Sequence, residues 1–337
     1  MHCGYVLTSP IVSPRYSIEF KNKNPFSKLQ ALSSQTQIQM NSPATKVSLP
    51  SHVNYITSTT NPFVKHCLKL RQSSSYRHTH SSVLIVGAIP IKEVCMYQGI
   101  KTEIECLLLQ EEAKIPQGLE RLSIRIVRVS SLVMKKLAGV KSIDSVDAIA
   151  LMRIPNSFID LEEEEEEDIS IDCKKWFAYS HRVLVLDRIQ DPGNLGTLIR
   201  SAMAFNWDGA FLLPGCCDPF NDKALRASRG ASFQLPIVSG DWNHLRTLEY
   251  EFQMKLLAGH PGTEKTKPVS KLSLEFAQSL EEKHLCLILG SEGHGLSDQS
   301  RKVCELVSIP MAGEFESLNV SVAGGIFLFM LQSCSKF

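Results

Sequence analysis

The 337-residue chain has no run of about 18 uninterrupted apolar residues, the length a helix needs to cross a bilayer, so no membrane span is expected. None of its ten cysteines is spaced as C-x-x-C, and the adjacent Cys216 and Cys217 cannot readily bridge or chelate together. A disulfide framework and a structural zinc are therefore not expected, and no metal ligand is assigned. Neither G-x-x-x-x-G-K-[ST] nor G-x-G-x-x-G occurs, which removes the main support for a nucleoside triphosphate cradle or a dinucleotide fold. Acidic residues are almost missing from the first 80 positions, where nine Lys or Arg stand against Glu19 alone, giving +8 there and −7 in the remainder. The net charge of +1 hides this asymmetry and says little about a nucleic-acid partner.

What is present divides the chain into four parts. Residues 1–50 are rich in Ser, Thr, Pro and Asn, and Pro10, Ser13 and Pro14 interrupt any apolar core of a secretory signal. That composition predicts an organelle transit peptide, with the chloroplast expected and the mitochondrion as the alternative. Residues 55–155 read as a small α/β module with strand-like runs at 82–86, 105–109 and 124–129 and a helix at 131–137. At its start, Lys65, Lys69 and Arg71 surround Phe63, Val64, Leu68 and Leu70, the pattern of an amphipathic helix whose cations suit a phosphate backbone. Residues 156–175 contain LEEEEEED at 161–168, a charge run that reads as an exposed linker and sets the domain boundary.

Residues 176–337 alternate strand and helix patterns, which implies an α/β domain with a mostly parallel sheet and helices on both faces. Three apolar runs there, VLVL at 183–186, LCLIL at 285–289 and LVSIP at 306–310, each open into a turn rich in Gly, Asn, Ser or Pro. The loops are DPGNLGTLIR at 191–200, LGSEGHGLS at 289–297 and IPMAGEFESLNVS at 309–321. Ligands of open α/β sheets gather at the carboxyl ends of strands, so these loops are expected to meet at one site. Pro192 and Gly193 read as a turn, with a helix from about Gly196 that places Arg200 in its first or second turn. Ser317 and Asn319 also suit an N-capped helix start.

In type, order and spacing the three segments resemble the SpoU branch of the knotted SPOUT RNA methyltransferases, and the chain resembles a plant-type organellar member. The resemblance implies a C-terminal trefoil-knotted catalytic domain, preceded by a small substrate-binding domain similar to the ribosomal protein L30e fold. It implies transfer of a methyl group from S-adenosyl-L-methionine to a ribose 2'-hydroxyl, with rRNA favoured over tRNA as substrate. Asn194, Arg200, Glu292, Ser317 and Asn319 match the catalytic positions, while Gly290, Ile309, Met311 and Leu318 match cofactor-binding positions. Glu292 is expected to order the site through Arg200 or Asn194. Lys65, Lys69 and Arg71 are the expected RNA contacts. The family also pairs its knotted domains, so a homodimer is expected, with Gly324, Gly325, Phe327, Phe329 and Leu331 on the apposed helix. The competing class is a non-catalytic RNA-binding protein that keeps the knotted scaffold.

Overall fold

The structure, a computed structural model, describes residues 54–96, 103–120, 124–140, 146–161, 173–177, 180–262, 267–313 and 317–333. The transit-peptide expectation and most of the acidic run lie outside these residues.

The first module is a five-stranded mixed sheet of β1 (Tyr55–Ile56), β2 (Ser82–Val86), β3 (Ile104–Gln110), β4 (Ile126–Val129) and β5 (Ile149–Arg153) in the order β1-β4-β3-β5-β2. Helices α1 (Pro62–Gln72) and α4 (Ser131–Ala138) cover one face, α3 (Ala88–Met96) lies on the other, and α2 (Ser74–His80) follows α1 directly. Asn61 starts α1 by accepting from the Phe63 amide at 2.9 Å, with Pro62 in the first turn, where its missing N–H costs nothing. Phe63, Val64, Cys67 and Leu70 then form its buried stripe.

The second half begins earlier than the acidic run. Within the stretch read as linker, Phe158–Asp160 is a strand, β6, and Leu161 is buried. With β7 (Arg182–Asp187), β8 (Gly209–Leu212), β9 (Ile237–Ser239), β10 (Lys255–Gly259), β11 (Val269–Lys271), β12 (Leu285–Gly290) and β13 (Glu305–Ser308) it forms an eight-stranded sheet. The order is β11-β13-β10-β12-β7-β8-β9-β6, and every pairing is parallel. β12, late in sequence, lies between β7 and β10. Burial on both faces explains the near-continuous apolar runs of β7 and β12. Leu184, Leu186, Leu287 and Leu289 face α5 (Pro192–Ala204) and α10 (Val320–Met330), while Val183, Val185, Cys286 and Ile288 face α7 (Trp242–Phe252); the short α8 (Leu274–Gln278) and α9 (Asp298–Val303) precede β12 and β13. α6 (Asp222–Ser228) packs on α5 through Gly196, where an added Cβ would meet the Ala224 carbonyl oxygen at 2.3 Å. That glycine of the first motif is thus held for helix packing.

The two halves share a core. Phe220, Leu225 and Phe233 of the second half join Val83, Ile85, Leu107 and Met152 in one cluster, on the sheet face α3 leaves open. Beside it Arg77 Nη2 lies 2.5 Å from Asp218 Oδ2, the two side chains only 3% and 8% exposed, and His78 Nε2 lies 3.5 Å from Asp218 Oδ1. Burial pushes the Asp218 carboxyl up, but the His78 hydrogen bond and the charges of Arg77 and His78 outweigh it and hold that carboxyl well below the usual range. Because the folded value is depressed, this stabilisation is present above about pH 4 and is lost as pH falls toward the folded value. Arg77→Ala would strand the Asp218 carboxylate in the junction, with an expected loss of about 3–5 kcal/mol. Urea unfolding at neutral pH checks this, and a midpoint equal to wild type would rule the pair out as a fastener.

Candidate active site

The site is assembled at the carboxyl ends of β7 and β12 and the start of α10. Asp191 caps α5, its Oδ1 accepting from the Asn194 amide at 2.9 Å, and Pro192 occupies the first helical position. The helix therefore starts at Pro192, not near Gly196, because Pro-Gly here follows a capping aspartate instead of forming a turn. Lys223 Nζ donates to Asp191 Oδ2 at 2.6 Å; that bond and the Asn194 amide lower the Asp191 carboxyl pKa.

Asn194, in the first turn of α5, donates through Nδ2 to Glu292 Oε1. Asn319 donates to the same oxygen at 2.9 Å, and its Nδ2 lies 3.4 Å from Asn194 Oδ1. One residue from each motif thus converges on a single carboxylate oxygen, and Glu292 Oε2 accepts nothing from the described residues. Of the two expected partners of Glu292, the structure selects Asn194. Asn319 is also the cap of α10, its Oδ1 accepting from the Ser321 amide at 2.9 Å, so the capping and site readings of that residue hold together.

Arg200 and Ser317 are not brought into this cluster. Arg200 is the ninth residue of α5, in its third turn and about 9 Å along the axis from Asn194. It is exposed and bonds to no other described side chain, which excludes a buried ion pair for it. Ser317 is exposed and makes no hydrogen bond to a described residue. Ile309 and Met311 are half-buried beyond β13, and Leu318 is exposed.

The glycine loop is folded tightly on itself. Ser291 and Gly295 form a bridge, the Gly295 amide donating to the Ser291 carbonyl at 2.8 Å. A Cβ on Gly290 would lie 2.5 Å from the Gly295 carbonyl and the Leu296 nitrogen, whereas one on Gly293 would meet nothing within 4 Å. The glycines are therefore not equivalent: Gly290 is required by the loop's own backbone, and Gly293 by nothing among the described residues. Asp187, buried at the end of β7, fastens the far end of the loop by accepting from the Ser297 amide at 2.8 Å and the Ser300 hydroxyl at 2.5 Å. Sequence reasoning missed Asp187: a carboxylate ending an apolar strand is visible in the sequence, but its partners Ser297 and Ser300 lie 110 and 113 residues away.

The expected RNA contacts separate. Lys65 is exposed and Lys69 Nζ lies 5.4 Å from the Tyr76 ring centroid, but Arg71 turns inward, its Nε 3.4 Å from Asp222 Oδ2 across the junction. Arg71 belongs to the interface between the halves, not to a free cationic face.

Residues 181–329 match the model of the SpoU rRNA Methylase family. An uncharacterized tRNA/rRNA methyltransferase of Synechocystis sp. is 32% identical over 294 residues, covering 83% of this chain and 94% of that protein. The 23S rRNA (guanosine(2553)-2'-O)-methyltransferase RlmP of Bacillus subtilis is 29% identical over 279 residues, covering 82% and 98%. Among solved structures, the SpoU methyltransferase AviRb of Streptomyces viridochromogenes in complex with AdoMet aligns with a TM-score of 0.64 at 21% identity, over 80% of this chain and 97% of that one. The AdoMet-bound rRNA methyltransferase of Sinorhizobium meliloti aligns at 0.60 with 24% identity, over 83% and 97%; both likenesses bear on the fold alone. The parallel sheet, the three converging motifs and a relative matched over nearly its full length lead to one assignment: the chain belongs to the SpoU rRNA methylase family.

Proposed function

We propose that this protein transfers a methyl group from S-adenosyl-L-methionine to a ribose 2'-hydroxyl of RNA, with rRNA as the substrate class ahead of tRNA. The observation that carries the reading is the convergence of Asn194, Glu292 and Asn319, from three separate motifs, on one carboxylate oxygen. A protein that only bound RNA would have no need of such a cluster. The names of the relatives, among them a 23S rRNA guanosine 2'-O-methyltransferase, support the substrate class.

The donor's sulfonium supplies an activated methyl group, so the chain's task is to align the acceptor oxygen and ease loss of its proton. Gly290, Ile309, Met311 and Leu318 hold the donor, the half-buried apolar Ile309 and Met311 suiting its adenine and methionine parts. Glu292 Oε2, the oxygen the two amides leave, accepts a hydrogen bond from the ribose. Arg200 binds a phosphate of the RNA and stabilises charge developing on the 2'-oxygen, with Ser317 and Asn319 orienting it. The family's trefoil knot is supported by the insertion of β12 between β7 and β10. The first module is read as an L30e-like substrate-binding domain, and the protein as an organellar, plant-type member working in the chloroplast, with the mitochondrion as the alternative. The test is incubation with labelled donor and unmodified ribosomal RNA, followed by ribose-methylation mapping. Label on a base, or none on rRNA or tRNA, would overturn the reading.

The active species is proposed to be a homodimer through the second half. Of the residues named from sequence, Phe327 and Leu331 are buried internally and Gly324 packs on Leu198 and Leu289, so they do not form the outer face. That face is Val322, Ile326 and Phe329, on one side of α10, with Val322 52% and Phe329 54% exposed. A symmetric pairing would cover it. Replacing Val322 and Phe329 together by Asp is expected to convert a dimer to a monomer in sedimentation; a wild-type chain already monomeric at micromolar concentration would refute the pairing.

A further inference from the structure

Arg188 has a left-handed backbone, φ +58, immediately after the central strand β7. Four other non-glycine residues have positive φ among the described residues. Ser81, Arg229 and Gln253 are helix C-caps, and Asn206 directly follows the C-cap of α5, positions where a left-handed residue ends a helix. Arg188 ends no helix, and an arginine has no local hydrogen bond with which to offset the conformation. Strain of this kind persists where the side chain it aims is used.

The side chain is held at its base and free at its tip. Its Nε is buried, 3.5 Å from Asp187 Oδ1 and without a hydrogen bond, and the aliphatic part lies against Gly215, whose Cβ would come within 3.0 Å of Arg188 Cγ. The side chain is nevertheless 40% exposed, and no described residue bonds to Nη1 or Nη2. Its place is between two features already described. Asp187, beside it, fastens the glycine loop, and Gly215 stands three residues before Asp218, the anchor of α2 in the first module. Arg188 thus stands on the chain segment between the glycine loop's anchor and the junction with the first module.

We propose that Arg188 binds a backbone phosphate of the RNA substrate, its two terminal nitrogens forming a fork to the phosphate oxygens. The proposal rests on the methyltransferase reading and adds to it a contact next to Asp187, the carboxylate that anchors the end of the glycine loop. The experiment compares Arg188→Gly, Arg188→Ala and Arg188→Lys by binding of an in vitro transcript of 23S rRNA across a salt series, with donor affinity measured in parallel. Arg188→Gly removes the guanidinium and the strain together, so it separates function from folding. It is expected to keep donor affinity and the circular dichroism spectrum, lose about tenfold in RNA affinity, and show a salt slope smaller by about 0.7–0.9, the loss of one phosphate contact. Arg188→Ala should bind RNA as weakly as Arg188→Gly, while Arg188→Lys should retain the wild-type slope with lower affinity. An Arg188→Gly protein that binds RNA as wild type does, with an unchanged slope, overturns the proposal, as does one that loses donor and RNA affinity together. A wild-type protein that binds no ribosomal RNA would instead refute the substrate reading itself.

Discussion

Arg200→Ala is expected to slow methyl transfer about 1,000-fold while leaving affinity for S-adenosyl-L-methionine nearly unchanged. The first half of that expectation comes from the motif position, and the second from the structure. Arg200 is exposed in the third turn of α5 and is bonded to no described side chain, so its loss strands no buried partner and costs the fold little. A group bonded to no carboxylate of the described residues is available to a ligand, and a guanidinium, which stays protonated in proteins, acts there as a fork and a charge rather than as a base. Arg200→Lys should fail as well, because an ammonium cannot reproduce two parallel hydrogen bonds to a phosphate. Single-turnover transfer with saturating RNA is the measurement, and a normal rate in either variant would remove Arg200 from the chemistry.

The second large effect is expected at Gly290. A Cβ there would fall 2.5 Å from backbone atoms of Gly295 and Leu296, which cannot rotate aside as a flexible side chain would, so Gly290→Val must open the turn bridged by Ser291 and Gly295. Donor affinity should drop about 100-fold, equivalent to ~2.7 kcal/mol, with RNA affinity retained. The loop's far end stays fastened by Asp187, which keeps the damage local. Gly293→Ala is the contrast: its Cβ meets nothing within 4 Å, and the variant should fold and, without a donor clash, bind as wild type does. Calorimetry with the donor and RNA in turn reads both variants. Equal loss of the two affinities at Gly290→Val, with an altered circular dichroism spectrum, would mean misfolding and not a donor pocket.

How far the sequence alone reaches depends on how local each signal is. β7, β12 and β13 were legible because buried parallel strands need apolar residues on both faces and end in turn-forming residues. The residues that meet at Glu292 were legible as motif members, but which of Asn194 and Arg200 would reach it was not, since that depends on where α5 begins. The Asp191-Pro192 pair carried that information, and a turn reading of Pro-Gly concealed it. Arg71 shows the other limit: its partner Asp222 lies 151 residues away, and no helical periodicity reports a contact across a domain junction. The same holds for β6, three residues long and next to an acidic run, whose identity comes from its pairing with β9. On α10, an almost wholly apolar sequence gave no indication that Phe327 packs inward while Phe329 faces out.

Asn319 spends its carbonyl on the first turn of α10 and its amide nitrogen on Glu292. Fraying of that helix end and withdrawal of Asn319 from the Asn194–Glu292 pair are therefore coupled through one side-chain amide. An opening equilibrium that in most helices is mere end noise would, on the proposed function, become a population of incompetent enzyme. Amide exchange at Ser321, whose N–H is held by Asn319 Oδ1, is expected to report the fraction of molecules in which Asn319 stays in place.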